Sequence, residues 1–176
     1  IEAITAENKD NYPIDFIGAL AYDSINNGMW IGANQGLFFY DLKHKQLCSP
    51  FANRAAEDIR GCIGSIIDKN GQLWIGCLDG VYIIDLHSRP ASSSDGVFRY
   101  RHLKYKLDDP SSGLIEKICC FYEAQDGILW LGSNGYGIYK CMQDERGEVQ
   151  FICYNSLHGL PDNSIRGILE DDKGYI

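Results

Sequence analysis

The chain has 176 residues, of which 45% are hydrophobic and 12% aromatic, so it can fill the core of one ordinary domain and is not expected to be disordered. Its formal net charge of -8 argues against a nucleic-acid partner, because such proteins neutralise phosphates with Lys and Arg. No apolar run approaches the roughly 20 residues that span a bilayer, and Ile1 opens the sequence without Met. We therefore expect a piece of a longer protein, with membrane attachment only through regions outside it.

The N-terminal part of the chain predicts short strands joined by tight turns. Residues 1–16 are predicted to hold one strand, at Ile1–Thr5, and a polar linker. Residues 17–58 then contain an apolar segment, an Asn27-Gly28 turn, the stretch "GMWIGANQGLFFYD" and the apolar "LCSPF". Because Asn-Gly and Asp-Gly pairs supply the positive φ angles of hairpin turns, this unit is predicted to form four antiparallel strands, A to D.

The same pattern returns further along the chain. "QLWIGCLDGVYIID" lies in the unit 59–114 and "ILWLGSNGYGIYKC" in the unit 115–163, while residues 164–176 repeat the start of a unit and are predicted to be the first strand of a further, truncated one. The tryptophans are spaced by 44 and 56 residues, and a glycine follows each two positions later. The residues of this structural repeat are Trp30, Gly32, Trp74, Gly76, Trp130 and Gly132.

Units of about 40 to 50 residues with four strands each are typical of a β-propeller, in which the sheets pack face to face as blades around a channel. The predicted fold is therefore all-β, a propeller fragment of about three complete blades with flanking strands. A β-sandwich is the competing fold, but sandwich strands do not repeat a Trp-Ile/Leu-Gly triplet in register. Because three blades cannot close a ring of the usual four to eight, we expect exposed blade faces and self-association.

Two stretches, "LPDNSIRGILEDDKGYI" at 160–176 and "DKNGQLWIGCLDGVYIID" at 68–85, resemble the two-component regulator propeller repeat. The resemblance covers nearly the whole chain. It implies the periplasmic sensor region of a Bacteroides-type hybrid two-component system, built of two seven-bladed propellers and a β-sandwich domain, followed by a membrane helix and a histidine kinase. The ligands of such sensors are typically oligosaccharides released from glycans, and binding changes the geometry of a dimer and switches the kinase.

The residues that could carry chemistry have structural interpretations as well. The repeated tryptophans are interpreted as packing between blades, because a ligand site need not recur in every blade whereas packing must. The acidic runs Asp108-Asp109 and Glu170–Asp172 are interpreted as solvated turns. Four histidines lie far apart, no cofactor motif or catalytic motif occurs, and the seven cysteines lack metal-type spacing and are interpreted as small core residues. We expect no enzyme activity, no metal and no cofactor.

Cys77 stands where the repeat commonly has Thr after Trp-Ile-Gly, and the other blades have Ala33 and Ser133 there. The resemblance therefore indicates a small core side chain at this position.

A ligand site is expected at the rim of the propeller where the B–C turns and the D-to-A connections meet. Aromatic rings there could stack on pyranose faces, and amides and charges could bind hydroxyls. The alternative is that these are ordinary loop residues. Rival functions are a propeller that binds a partner protein or a second sensor subunit, and, more distantly, a propeller enzyme such as a quinoprotein or lyase. The candidate residues are Tyr12, Asn34, Gln35, Arg54, Asp79, Lys104, Tyr105, Asn134, Tyr136, His158 and Asn163.

Overall fold

The protein is described by a computed structural model that covers residues 16–48, 50–51, 59–88, 98–104, 117–144 and 148–176. Within these ranges the chain forms three four-stranded antiparallel sheets whose strands follow one another in chain order. The predicted all-β fold with four-stranded blades is confirmed. The strand predicted at Ile1–Thr5 and the acidic pair Asp108-Asp109 lie outside the described residues.

Each sheet is one blade, and its strands A to D run in order from one edge to the other. Blade one comprises β1 (Ile17–Asp23), β2 (Gly28–Ala33), β3 (Leu37–Asp41) and β4 (Gln46–Cys48). Blade two comprises β5 (Gly64–Ile67), β6 (Gln72–Cys77), β7 (Gly80–Asp85) and β8 (Arg99–Leu103). Blade three comprises β9 (Ile118–Glu123), β10 (Leu129–Ser133), β11 (Ile138–Gln143) and β12 (Val149–Tyr154). Short 3-10 helices lie at Leu86–Ser88 and Ser156–His158.

Blade two is packed on both of its faces. Successive side chains of a strand point to opposite faces of the sheet, and in β6 Leu73 and Ile75 join a core cluster shared with blade one while Trp74 joins a cluster shared with blade three. In β7, Tyr82 and Ile83 divide between the two clusters in the same way. The near-continuous apolar sequence of these strands follows, because both faces are covered.

An aspartate fixes the A–B turn in blade two and links it to the tryptophan. The Oδ1 atom of Asp68 accepts hydrogen bonds from the N–H groups of Asn70 and Gln72, at 3.0 and 2.8 Å. Its Oδ2 atom accepts a hydrogen bond of 2.9 Å from the indole N–H of Trp74. One buried carboxylate therefore orders the backbone turn and satisfies the only polar atom of the buried ring.

Blade one repeats this arrangement. Asp23 is fully buried, its Oδ1 atom accepts from two turn N–H groups, and its Oδ2 atom accepts from the indole of Trp30 at 3.1 Å. Trp30 packs against Phe39 of its own blade and Phe98 of the next, with ring centroids 5.1 and 4.8 Å apart. The indole is thus held between two adjacent sheets.

The C-terminal segment contains the same kind of turn. Asp171 accepts hydrogen bonds from the N–H groups of Lys173 and Tyr175, each at 2.9 Å, as Asp68 does from its own turn. Ser164 forms an isolated bridge with Asn134, and no strand follows β12 within the described residues 148–176. The first strand of a further blade at 164–176 therefore stays a prediction.

Candidate functional site

The rim is defined here as the B–C turns together with the connections that enter the next blade. Three of the sequence candidates, Tyr12, Arg54 and Tyr105, lie outside the described residues. Among the others, the side chains of Asn34, Asp79, Lys104, Asn134 and His158 are exposed, and those of Gln35, Tyr136 and Asn163 are half-buried. The topology separates these residues into one group on each blade.

In blade one, the B–C turn is tied to the connection that enters blade two. The N–H groups of Gly61 and Cys62 donate to the carbonyl oxygens of Asn34 and Ala33, both at 3.3 Å. The exposed side chain of Asn34 therefore belongs to a turn whose backbone is hydrogen-bonded to the connection into the next blade.

In blade two, three side chains form a compact rim cluster of Asp79, Tyr82 and His102. The Tyr82 hydroxyl donates to Asp79 Oδ2 at 3.3 Å, and the His102 ring stacks on the Tyr82 ring with centroids 3.7 Å apart. His102 Nε2 is buried, lies 3.4 Å from Asp79 Oδ2, and has no hydrogen-bond partner among the described residues. Asp79 thus presents a half-exposed carboxylate that accepts from the Tyr82 hydroxyl and lies close to the buried His102 ring nitrogen.

Burial shapes the protonation of this cluster. Burial lowers the pKa of His102 below its usual value, and the nearby Lys104 acts in the same direction, while the Asp79 carboxylate opposes them. Burial and the negative charge of Asp79 also raise the pKa of Tyr82. Burial therefore favours the neutral forms of the His102 imidazole and the Tyr82 phenol, and the half-exposed Asp79 side chain is the part of the cluster that a polar ligand can reach.

In blade three, Tyr136 projects from the Gly-rich B–C turn. Its N–H group donates to the buried Ser133 Oγ at 3.0 Å, and its carbonyl accepts from the Cys153 thiol at 3.4 Å. The Lys117 ammonium lies 6.0 Å from the centre of the Tyr136 ring, at the outer limit of a cation–π contact. The ring is half-buried and its backbone is fixed on both sides.

Asn163 joins the connection after blade three to the same turn. Its carbonyl oxygen accepts from Gly135 N and Gly137 N at 3.2 and 2.8 Å, and its Oδ1 atom accepts from Ser156 N at 2.7 Å. Asn134 is bridged to the same connection at Ser164. The structure therefore brings Asn134, Tyr136 and Asn163 together.

His158 is placed differently. It ends the 3-10 helix Ser156–His158, pairs with the capping residue Asn155 and contacts Tyr154 edge to face at 6.1 Å. It also lines a cavity of about 370 Å³ beside the half-buried Trp130. This cavity is mainly apolar, and its lining further includes Ile138, Tyr154, Leu160, Ile165, Gly167, Ile168, Leu169 and Ile176.

A second cavity, of about 410 Å³, lies between the A–B turns of blades two and three, at the end of the sheets opposite the rim. Its lining includes Asp68, Glu123 and Asp126, but Asp68 is engaged by its own turn and Glu123 accepts from Lys69 N at 3.0 Å. Across the ranges that the structure describes, no three His, Cys, Asp or Glu residues converge as a metal site would require.

Sequence reasoning missed Tyr82, His102 and Lys117. Tyr82 and His102 are cross-strand partners in β7 and β8, so their contact follows from the register of those two strands. This register has no signal in the local sequence, because a long polar segment separates the two strands. Lys117 belongs to the connection into β9, and only the folded chain places it over the Tyr136 ring.

Comparison with known proteins gives one family match and several structural ones. Residues 112–135 match the family model described as "Two component regulator propeller". The extracellular domain of a hybrid two component system from B. thetaiotaomicron superposes with a TM-score of 0.52 at 17% identity, over 96% of this chain and 26% of that chain. A catalytically inactive virginiamycin B lyase from Staphylococcus aureus, solved with quinupristin, gives a TM-score of 0.51 at 15% identity, over 85% of this chain and 44% of that chain. No curated protein matches the sequence significantly.

At these identities the structural likeness shows the fold alone, and this chain spans about a quarter of the first of those extracellular domains. In the described parts of the chain, none of the helices has the length and apolar character needed to cross a membrane. The recognised repeat begins ahead of β9 and ends in the turn after β10, so it contains Trp130. The chain therefore folds as propeller blades, and its residues 112–135 match the two component regulator propeller repeat.

Proposed function

We propose that this chain is part of the ligand-sensing propeller of a hybrid two-component system, that it performs no chemistry on its ligand, and that it acts in the periplasm. The ligand is a glycan-derived oligosaccharide that binds at the rim, and its binding regulates a downstream histidine kinase. The family match at 112–135 and the likeness to extracellular domains of Bacteroides sensors support the sensor role.

The observation that carries the ligand site is the pairing of a fixed aromatic ring with polar groups at the blade-three rim. Tyr136 offers a half-buried ring whose backbone is held by Ser133 and Cys153. The Lys117 ammonium lies 6.0 Å from the centre of this ring, and Asn134, in the same turn, has an exposed side chain. A pyranose presents an apolar face ringed by hydroxyls, which such a combination matches.

The test is a glycan panel assayed by isothermal calorimetry against the intact extracellular region. Once a ligand is found, Tyr136→Ala should weaken its binding about tenfold, a loss of ~1.4 kcal/mol. Tyr22→Ala is the matched control, because Tyr22 is 56% exposed on β1 near the A–B turn, away from the rim. Equal affinities of Tyr136→Ala and the unmodified protein would remove this residue from the site.

A second candidate is a propeller that serves protein contacts, including self-association. It is favoured by the exposed apolar side chains on β1, where Leu20 is 60% and Tyr22 is 56% exposed. Apolar surface of this kind marks contact regions when it is contiguous. Light scattering of the 176-residue chain should then give a mass above that of a monomer, and a monomer at high concentration would contradict this candidate.

A further inference from the structure

Two buried cysteines of blade two are neighbours in space. Cys62 precedes β5 and Cys77 ends β6, and both side chains have no exposed surface. Their sulfur atoms are 3.6 Å apart. The Cys77 thiol donates a weak hydrogen bond to Cys62 at this distance, and the two sulfur atoms would have to approach by about 1.5 Å to reach the length of a disulfide bond.

The positions of Cys62 and Cys77 have counterparts in the other two blades. In blade one the register pairs Ile17 with Ala33, and in blade three it pairs Ile118 with Ser133. Those partners show that the fold is satisfied by an apolar residue opposite a small one. Blade two follows the same rule, and of the three described blades it alone carries a thiol at both positions.

The other cysteines make different contacts. The thiols of Cys119 and Cys153 donate to the carbonyl oxygens of Ile165 and Tyr136, at 3.2 and 3.4 Å. Burial raises the pKa of Cys141 to about 12. These sulfurs thus have local roles that do not bring them to Cys62 or Cys77.

We propose that Cys62 and Cys77 form an intrachain disulfide that joins strands A and B of blade two when the protein folds in the presence of a disulfide oxidant. The oxidant is a small-molecule disulfide or the disulfide of a thiol oxidoreductase. One cysteine thiolate attacks it, forming a mixed disulfide and releasing one thiol. The second cysteine thiolate then attacks the protein sulfur of that mixed disulfide and releases the second thiol. The protein loses two protons and two electrons, and the oxidant is reduced to two thiols.

The folded structure indicates when this exchange takes place. The hydrogen bond to Cys62 and burial both raise the pKa of Cys77, so little thiolate forms once the blade is packed. Cys62 is also covered by blade one, because a side-chain carbon added at Gly32 would lie 2.7 Å from the Cys62 Cβ atom. The disulfide is therefore expected to form before blades one and two pack against each other. Once they have packed, the two buried thiols resist oxidation.

The bond would join the two open ends of the 62–77 hairpin, opposite its A–B turn, within the core between blades one and two. A cross-link of this kind limits the open states of the hairpin in the unfolded chain, which raises stability. The proposal is independent of the ligand at the rim. The proposed periplasmic location supplies only the setting in which the oxidant is met.

The test begins with the full-length extracellular region, unfolded with reductant and then refolded with a mixture of reduced and oxidised glutathione. Remaining thiols are alkylated in denaturant, and the digest is analysed by mass spectrometry without reduction. The expected result is a linked pair of peptides that contain Cys62 and Cys77, with the other five cysteines alkylated. Alkylation of both Cys62 and Cys77 in the refolded protein, or their linkage to other cysteines instead, would overturn the proposal.

Matched variants distinguish the effect of the disulfide on stability from the effect of removing one thiol. Cys77→Ala places at this position the residue that blade one has at Ala33, and Cys77→Ser places the one that blade three has at Ser133, so one of the two should fold. The urea midpoint of the unmodified protein should rise after oxidative refolding, whereas that of either variant should not change. Cys141→Ala is the control that keeps the pair and should still show the rise. An equal rise in the Cys77 variants would contradict the assignment.

Discussion

Blades two and three share one sequence pattern but present their tryptophans to different surroundings. Trp74 is 1% exposed, lies between two sheets and donates its indole N–H to Asp68. Trp130 is half-buried, lines the 370 Å³ cavity and has the Lys140 ammonium 5.8 Å from its ring centre. At the position of Asp68, blade three has Ala124, whose N–H group makes the same turn bond to Ile128 O.

This difference shows that the backbone turn does not depend on the aspartate, whereas the indole contact does. In blade three, the exposed Asp126 accepts from Ile128 N at 2.9 Å, which replaces one of the turn bonds that Asp68 makes. It does not replace the bond to the indole. The repeat therefore conserves strand geometry while the polar partner of the tryptophan varies from blade to blade.

The largest expected effect on stability comes from removing the two tryptophan side chains. In the 176-residue chain, Trp74→Ala should lower the free energy of unfolding by about 3 to 5 kcal/mol, because it leaves a cavity between two blades. Trp130→Ala should cost only about 1 to 2 kcal/mol, since part of its ring surface is already in water. Urea unfolding followed by circular dichroism measures both, and equal losses would contradict the distinction.

The next largest effect is expected from removing the carboxylate that accepts the hydrogen bond of the Trp74 indole. Asp68→Ala should lower the free energy of unfolding by about 2 to 3 kcal/mol, because a buried indole N–H and two turn N–H groups lose their acceptor. The control is Asp126→Ala in the equivalent turn, where one exposed hydrogen bond is lost and a change of about 0.5 kcal/mol is expected. If the two variants unfold at the same urea concentration, the indole contact contributes nothing.

A gain is expected when blade three is given the residue that blade two has. Ala124→Asp should raise the free energy of unfolding by about 1 kcal/mol by supplying an acceptor to the Trp130 indole. The same change in a Trp130→Phe background should give no gain, because phenylalanine has no N–H group. A gain of the same size in both backgrounds would assign the effect to the turn and not to the indole.

The smallest expected effect is a pH dependence of stability that arises from His102 in the blade-two rim cluster. The pKa of His102 is lowered in the folded protein by burial, so the unfolded chain binds a proton more readily. Its contribution is complete above the usual pKa of 6.5 and is lost as the pH falls below that value through the folded pKa. Urea midpoints measured at pH values across this window should decline in acid, and the decline should be smaller in His102→Gln. An identical decline in the variant would exclude His102 as its source.

Several elements could be predicted from the sequence because their signals are local. Asn27-Gly28 and Asn70-Gly71 mark the A–B turns, and β2 and β6 both include the Trp-Ile-Gly triplet. The D strand of blade one is less local: "LCSPF" was predicted, whereas β4 covers Gln46–Cys48. The carbonyl of Pro50 accepts from Phe98 N of the next blade at 3.2 Å instead. A proline has no N–H to donate to the sheet, so the chain leaves β4 there.

The candidate site was predictable only as a location. The topology of the repeat put Asn134, Tyr136 and Asn163 at one end of the sheets, and the structure joins them through the backbone bonds of Gly135 and Gly137. The stacking of His102 on Tyr82 and the position of Lys117 over Tyr136 depend on strand register and on the path of a connection. Neither contact can be predicted from the local sequence.

The sequence alone determined the repeat, the four-stranded unit and the recurring tryptophan, because turn residues and in-register apolar segments act over a few positions. Only the tertiary structure decided which tryptophan is enclosed, which carboxylate it meets and which cysteines touch. It also decided that Glu123 and Glu170 each accept an N–H bond from the A–B turn of the preceding blade, at 3.0 and 2.9 Å. These contacts join residues far apart in the chain, and such residues meet only when one sheet packs against the next.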